Sequence, residues 1–419
     1  MKAIPILILF AAVQAASAAE TTDESAYLTL DEAVTRALAA DDPSVQRFEE
    51  EARALEDRAV AESQLPDPQI GVTMQNLPTS IDFNQENMTQ LQTKLRQSFP
   101  AGRTLALRAE RRQAESHTAR AAARLRQLEI RRETRLAWLE LFYWLRAQES
   151  ISKSRQAVVA LEEAVRADYA AGRTVSQELM RARLEVSLLD DRLIEASRKE
   201  DEARADLARW VGEAAARRPL PEYLPGLKHP ETLDGILAML PTHPAVERAD
   251  SLIEARSHDI AIAEQQYKPD WSVELGYGYR DGNSRVGSRD DFITAGITLD
   301  IPLFTGKRQD RSVSAARRER SAANLSKQAL LLDMRRQLER GYAAWLRLGE
   351  RVGLYEQAVI ARAEETTQSS LTSYESGFTD FAELIRARLA ELDAELALIR
   401  LRVERAEIQA GLLFLEGEI

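Results

Sequence analysis

Four histidines, His117, His229, His243 and His258, are the side chains of this sequence best suited to bind a metal or move a proton near neutral pH. They stand far apart, and no two are three or four residues from each other, the spacing a helical metal pair needs. Capping or solvated roles are therefore expected of them, and no metal or cofactor site is. The chain has no cysteine, which removes disulfides, thiolate ligands, thiol nucleophiles and a lipidated N-terminal cysteine. No glycine-rich phosphate loop and no nucleophile elbow occurs. Carboxylates are plentiful, but on highly charged helical stretches that is the ordinary expectation. Catalysis is therefore not expected. With 56 Lys+Arg against 67 Asp+Glu the formal net charge is −11. That balance argues against a nucleic-acid partner, since phosphate binding needs a cationic face.

What remains must be sought in the elements. The 419 residues are 29% charged and 44% apolar, which fits neither a disordered polyelectrolyte nor a bundle of lipid-facing helices. Only 18 glycines and 14 prolines leave room for few turns, hence long elements. Residues 1–19 read as a signal peptide: Lys2, the apolar run Ile4 to Val13, then Ala16-Ser17-Ala18 as a cleavage pattern. No later run of 18 apolar residues could form a spanning helix. A membrane role would have to rest on strands.

The mature chain repeats itself. Asp42-Pro43-Ser44-Val45 recurs as His243-Pro244-Ala245-Val246, and Pro66-Asp67 as Pro269-Asp270. Ala137-Trp138 recurs as Ala344-Trp345. Tyr169, Gly172 and Thr174 recur as Tyr374, Gly377 and Thr379, and Arg181-Ala182-Arg183-Leu184 as Arg386-Ala387-Arg388-Leu389. The ordered series, offset by 201 to 207 residues throughout, marks a duplication. Repeats over 20–212 and 231–419 are joined by a proline-rich connector, 213–230.

Each unit opens with a helical pattern, Leu28 to Ala61 or Leu233 to Glu264, stopped by Pro66 or Pro269. Two β-like runs follow in each: about 69–76 and 89–99, then 271–280 and 291–301. Trp271, Val273, Leu275, Tyr277 and Tyr279 alternate with Ser272, Glu274, Gly276, Gly278 and Arg280, giving one apolar and one polar face. The first hairpin alternates less cleanly, with Lys94 and Arg96 in its second strand. From about 103 to 170 and 307 to 375 the chain reads as one uninterrupted helix per unit, each about 100 Å long at the helical rise. The helix-reversal turns carry Gly172 and Gly377, free to take positive φ. Returning helices span about 176–210 and 380–415. In the second, Ile385, Leu389, Leu392, Leu396, Ile399, Val403, Ala406, Ala410 and Leu413 alternate steps of four and three, a coiled-coil seam.

Four strands with a lipid-facing side would leave open edges in a membrane, and barrels start at about eight strands. The chain must pool its strands with further copies. In this order and repetition the chain resembles the TolC-type outer-membrane efflux channel family. The most specific local matches are the Tyr-x-x-Gly turns, Leu65-Pro66-Asp67-Pro68 and Phe99-Pro100-Ala101-Gly102-Arg103. The resemblance implies a mainly α fold with a small β part. Long antiparallel coiled-coil helices would form a periplasmic tunnel, and four strands per protomer would enter a trimeric 12-stranded β-barrel. It implies an outer-membrane location with a large periplasmic part, and an exit duct serving a periplasmic adaptor and an inner-membrane, proton-driven pump. Leu65 to Pro68 with Gln75-Asn76-Leu77-Pro78 resembles members that export heavy-metal cations, which points to metal resistance. General drug, solute or protein export within the same family stays open. So does a soluble periplasmic coiled-coil adaptor or scaffold, which would explain the helices but not the amphipathic strands.

The resemblance also implies a gate at the turns between the long helices. Its acidic lining falls on Glu383 with Asp380 and, in the first repeat, Glu178; Arg386 and Arg181 stand at matching positions. Tyr374 would tie neighbouring helices shut with Gln177 and Glu178 as partners. Thr379 replaces a basic residue of the latch, a role Arg173 or Arg386 could take. Trp271, Tyr277, Tyr279 and Phe292 are expected at the membrane interfaces.

Overall fold

The computed structural model describes residues 27–83, 85–282 and 288–417. The signal peptide expected at 1–19 lies outside them, as do one residue of the first hairpin tip and five of the second. The elements run α1 (Leu30–Ala39), α2 (Pro43–Glu62), β1 (Gln69–Gln75), β2 (Gln90–Phe99), α3 (Thr104–Ala170), α4 (Ser176–Val211) and the short α5 (Glu213–Ala216). Then come α6 (Leu233–Met239), α7 (Pro244–Gln265), β3 (Asp270–Tyr279), β4 (Phe292–Asp300), α8 (Gln309–Leu354), α9 (Ile360–Glu375) and α10 (Phe381–Glu416).

The pattern read as one opening helix is in fact two in each half. Proline forces the break: it cannot donate to the preceding turn, but fits the first turn of a new helix. Pro43 starts α2 behind Asp42, whose carboxylate accepts the Ser44 N–H at 2.8 Å. Pro244 starts α7 behind His243, whose ring accepts the Ala245 N–H at 3.2 Å.

A second correction concerns the outgoing helix of the second half. α3 is continuous over 67 residues, about 100 Å, but its counterpart is interrupted by a π turn, Tyr355–Val359. Leu338, Trp345 and Val352 follow one another by seven residues, as do Ile360, Thr367 and Tyr374. Between the two sets the step is eight. An α-helix would swing the second set about 100° off the seam. The wider π turn takes up the surplus residue, so Trp345, Val352 and Thr367 all stay buried.

α3 packs against α4 and α10 along the rods and against α2 and α7 nearer the sheet, and α10 packs in turn on α8 and α9. The long helices therefore lie in the order α8/α9, α10, α3, α4. Midway along the rods Trp138, fully buried, donates its Nε1–H to the Leu28 carbonyl at 3.0 Å within a cluster that includes Leu139, Leu207, Leu220 and Val403. Trp345 anchors the matching cluster of the second half with Leu338 and Leu412.

The strands form one antiparallel sheet in the order β1-β2-β3-β4. The β2–β3 pairing, with Thr93 opposite Tyr277 and Leu95 opposite Leu275, fuses the two hairpins across the repeats. Register puts Ile70, Val72, Leu95, Leu275, Tyr277, Ile293 and Ile297 on one face. Lys94 and Arg96 fall on the other, where Lys94 pairs with Glu274 at 3.0 Å and Arg96 donates to Ser272 at 3.1 Å. Gly278 makes room there for Gln90, whose Oε1 a Cβ would strike.

Phe292 departs from expectation. It pairs with Gly278 and so belongs to the polar face, with the Arg280 guanidinium 3.9 Å over its ring. The sequence counted it among apolar aromatics, but its parity follows the paired strand rather than its hydrophobicity.

Candidate functional site at the far helical turns

The two turns that reverse the long helices share one geometry. Gly172 (φ 71°) and Gly377 (φ 75°) lie in the left-handed region, which costs any other L-residue about 1–2 kcal/mol. The Gly172 N–H reaches the Tyr169 carbonyl at 3.0 Å and the Arg173 N–H the Asp168 carbonyl at 2.8 Å. Gly377 and Phe378 repeat both bonds, to Tyr374 and Ser373, at the same distances. This paired closure stops each rod at a fixed residue and returns the chain alongside itself.

The returning helices begin with acids, as a helix N-terminus favours. Asp380 caps α10 by accepting the Glu383 N–H at 2.9 Å. Glu178 stands in the first turn of α4 and accepts the Thr174 hydroxyl. Glu383 is exposed and pairs with Arg386 at 2.7 Å, and Arg173 is held by Asp168 at 2.9 Å. Both arginines considered for the latch are therefore engaged within their own turns. Gln177 and Arg181 are exposed, and their side chains make no hydrogen bond or ion pair to other described residues of the chain.

Tyr374 is the residue that joins the two turns. Its half-buried ring meets Phe381 edge-on with centroids 6.1 Å apart, within a cluster that includes Val165, Leu179 and Ile385. Burial raises the pKa of its hydroxyl, and the carboxylates of Glu178 and Asp168 raise it further. Tyr374 thus lies within the field of Glu178, although its hydroxyl bonds neither Glu178 nor Gln177 within the chain. Sequence reasoning missed the supporting Phe381 and Asp168; the seven-residue step from Tyr374 to Phe381 was the available signal. It also missed Val175 and Phe378, bare apolar side chains at the turns, 62% and 88% exposed.

At the opposite end Trp271 stacks on Phe99 at 4.1 Å, a partner the sequence had not suggested. Trp271, Tyr277 and Tyr279 share the exposed apolar face. About 26 Å of strand separate Trp271 from Tyr279, close to the apolar band of an outer-membrane barrel. The exposure of this sheet is inverted relative to a water-soluble one. Ile70, Ile293 and Ile297 are 74%, 84% and 69% exposed, whereas Gln90 and Gln92 are 7% and Ser272 4%. No described helix is long and apolar enough to cross a membrane. Among the described residues no group of three or more His, Cys, Asp or Glu could hold a metal ion.

Residues 238–418 match the family model of the outer membrane efflux proteins. Among solved structures, the chain is similar to the outer membrane protein VceC of Vibrio cholerae, at 18% identity and TM-score 0.77 over 93% of this chain and 96% of that one. A membrane protein from Pseudomonas aeruginosa is 17% identical with TM-score 0.80, covering 98% and 96%. The Neisseria gonorrhoeae MtrE outer membrane channel in its open state is 15% identical with TM-score 0.72, covering 93% and 88%. These likenesses carry the fold. No curated protein matches the chain in sequence.

Proposed function

We propose, from the premise that residues 238–418 of this chain belong to the outer membrane efflux protein family and that the whole chain has the fold of outer-membrane channels, that the protein is a passive exit duct of a tripartite efflux system. The observation that carries this reading is the inverted sheet, which offers lipid an apolar face and a lumen its glutamines, Lys94 and Arg96. Its two outer strands are exposed at every position, so the sheet needs further copies to close. Three copies supply twelve strands, and their rods form the walls of a periplasmic tunnel. An adaptor would meet the exposed turns and pass on substrate from an inner-membrane pump.

The gate falls at those turns. Around a three-fold axis, copies of Glu383, with Asp380 and Glu178, would crowd negative charge, and such rings attract and select cations. The Glu383–Arg386 pair tempers this charge, and as an exposed pair it holds only weakly. Tyr374, with Gln177 and Glu178 of a neighbouring copy as partners, would hold adjacent coils shut. The similarity of Leu65-Pro66-Asp67-Pro68 and Gln75-Asn76-Leu77-Pro78 to metal exporters favours heavy-metal cations as cargo.

Envelope fractionation followed by planar-bilayer recording tests the reading. The protein should appear in the outer membrane as a heat-modifiable oligomer with low conductance. Glu383→Ala and Tyr374→Phe should raise that conductance, and Glu383→Ala should also weaken block by divalent cations. A detergent-free soluble monomer would remove the duct. Unchanged conductance and block in both variants would remove the gate. Loss of the chain should sensitise cells to metal salts; sensitivity to dyes and drugs alone would reassign the cargo.

A further inference from the structure

The junction between β4 and α8 has a property the first repeat lacks. After Asp300 the chain presents Ile301, Leu303 and Phe304, which are 64%, 74% and 90% exposed, and then Lys307, Arg308 and Arg311, all exposed. None of these three cations forms an ion pair with the described residues. The neighbouring carboxylate, Asp310, accepts the Tyr267 hydroxyl at 2.6 Å. At the matching place in the first repeat Ala101 is buried and Arg103 is tied to Glu110 at 2.9 Å. Farther along α3, Arg112 pairs with Glu62 and Glu115, and Arg126 with Glu129 and Glu133, whereas the exposed Arg108 near the start of the helix stands apart from these pairs. A free apolar-then-basic segment on a chain of net charge −11 therefore stands out against its own repeat.

Its place in the fold gives it a partner. It begins at the end of the sheet from which the helices leave, next to Trp271 and Leu299 at the margin of the exposed apolar face. Moving away from that face, the chain passes from Ile301, through Leu303 and Phe304, to the cations. The same order of polarity is met on leaving a bilayer: hydrocarbon, ester region, headgroup. We propose that the β4–α8 junction is a binding site for anionic phospholipid of the leaflet on the tunnel side. Phe304 and Leu303 would seat in the acyl-ester region, and Lys307, Arg308 and Arg311 would hold the phosphate. Basic clusters beside a membrane segment attract anionic headgroups in this way, and long cationic side chains reach the headgroup level easily. The site anchors the second repeat where the rod meets the barrel and fixes the depth of the duct in its membrane.

The inference rests on the membrane-channel reading, and the experiment separates the two. The full-length oligomer, purified in mild detergent, is incubated with phosphatidylglycerol or phosphatidylcholine, and retained lipid is read by native mass spectrometry. Wild type should retain phosphatidylglycerol in preference by about tenfold, with the preference shrinking at high salt through screening. Lys307→Gln/Arg308→Gln/Arg311→Gln should abolish the preference while leaving the oligomer and its conductance unchanged. Phe304→Ser should weaken retention of both lipids. Equal retention of the two lipids by a wild-type oligomer that conducts in bilayers would overturn this site alone. So would a preference that survives the triple substitution. If Phe304→Ser disperses the oligomer, the segment is covered by a neighbouring copy and the lipid assignment falls. Failure to form any bilayer-active oligomer would instead remove the channel reading.

Discussion

At the scale of single residues, His243 couples the start of α7 to the end of α10. Its Nδ1 accepts from the Ala245 N–H and its Nε2–H donates to the Phe414 carbonyl at 3.0 Å. Only the neutral ring, with its proton on Nε2, satisfies both bonds, because a protonated Nδ1 would face another N–H. Burial lowers its pKa below the ordinary 6.5, more than the Phe414 carbonyl raises it. The unfolded chain therefore takes up a proton as pH falls through about 6.5, and the native ring does so only lower. This contribution to stability is complete above that pH and drains away below it. Melting curves from pH 7 down to about pH 5 should show the wild type losing more than His243→Asn, which keeps a cap but has no ring to titrate. The variant should start lower at neutral pH, having lost the bond to Phe414. Parallel pH slopes would mean that His243 takes up its proton at the same pH in both states.

Among the elements, the π turn follows from the eight-residue step in the seam rather than from a weak helix sequence. Removing one exposed residue within it, Gln357, should let α8 and α9 merge into one α-helix with the seam intact. The melting temperature is then expected to hold or rise. Inserting one alanine after exposed Glu364 instead adds a second surplus residue and should turn Thr367 and Tyr374 about 100° away from α10. That breaks the hydrogen bond from Thr367 to the Ala387 carbonyl, 3.1 Å in the native chain, and lowers the melting temperature. Equal effects of the deletion and the insertion would contradict the seam as the cause of the π turn. The sheet offers a separate check. Ile297 lies midway along β4 on the exposed apolar face, where arginine costs about 2–4 kcal/mol if lipid covers it. Ile297→Arg should reduce the heat-modifiable fraction, whereas Thr298→Arg, on the polar side, should not. A soluble sheet would tolerate both.

For the whole molecule, the decisive feature is its pair of unfinished edges. α4 leaves Met180, Leu184, Leu188 and Ile194 bare, and on the opposite side of the helical layer α8 leaves Leu346 and Leu354 bare. β1 and β4 are likewise unpaired on their outer sides. Closing both edges on copies of the same chain buries all of these at once. Ile194 and Leu354 stand at similar heights above the turns, about 27 and 31 Å at the helical rise. With no native cysteine, Ile194→Cys/Leu354→Cys should yield a covalent ladder with a short bismaleimide, ending at three chains. A ladder ending at two, or cross-links only within chains, would contradict the trimer.

Much of this architecture was already legible in the chain, and the reason is local. The lengths of the rods, the glycine turns and the two-faced strands depend on residues a few positions apart, whose periodicity and steric limits any sequence displays. The caps at Asp42 and His243 were also readable, since proline follows each. Sequence alone thus carried the order of one hairpin and one long helix pair in each half, with an apolar strand face in need of cover. Tertiary structure decided which partner each group meets, whether three residues away or some 180. It fused the hairpins through β2 and β3, moved Phe292 to the polar side, and took up the surplus residue of the second rod in a π turn. It engaged Arg173 and Arg386 in their own turns and left Lys307, Arg308 and Arg311 without an ion pair among the described residues. Charge and hydrophobicity are properties of a residue, but the partner that satisfies them is a property of the packing, and periodicity along one chain carries no record of it.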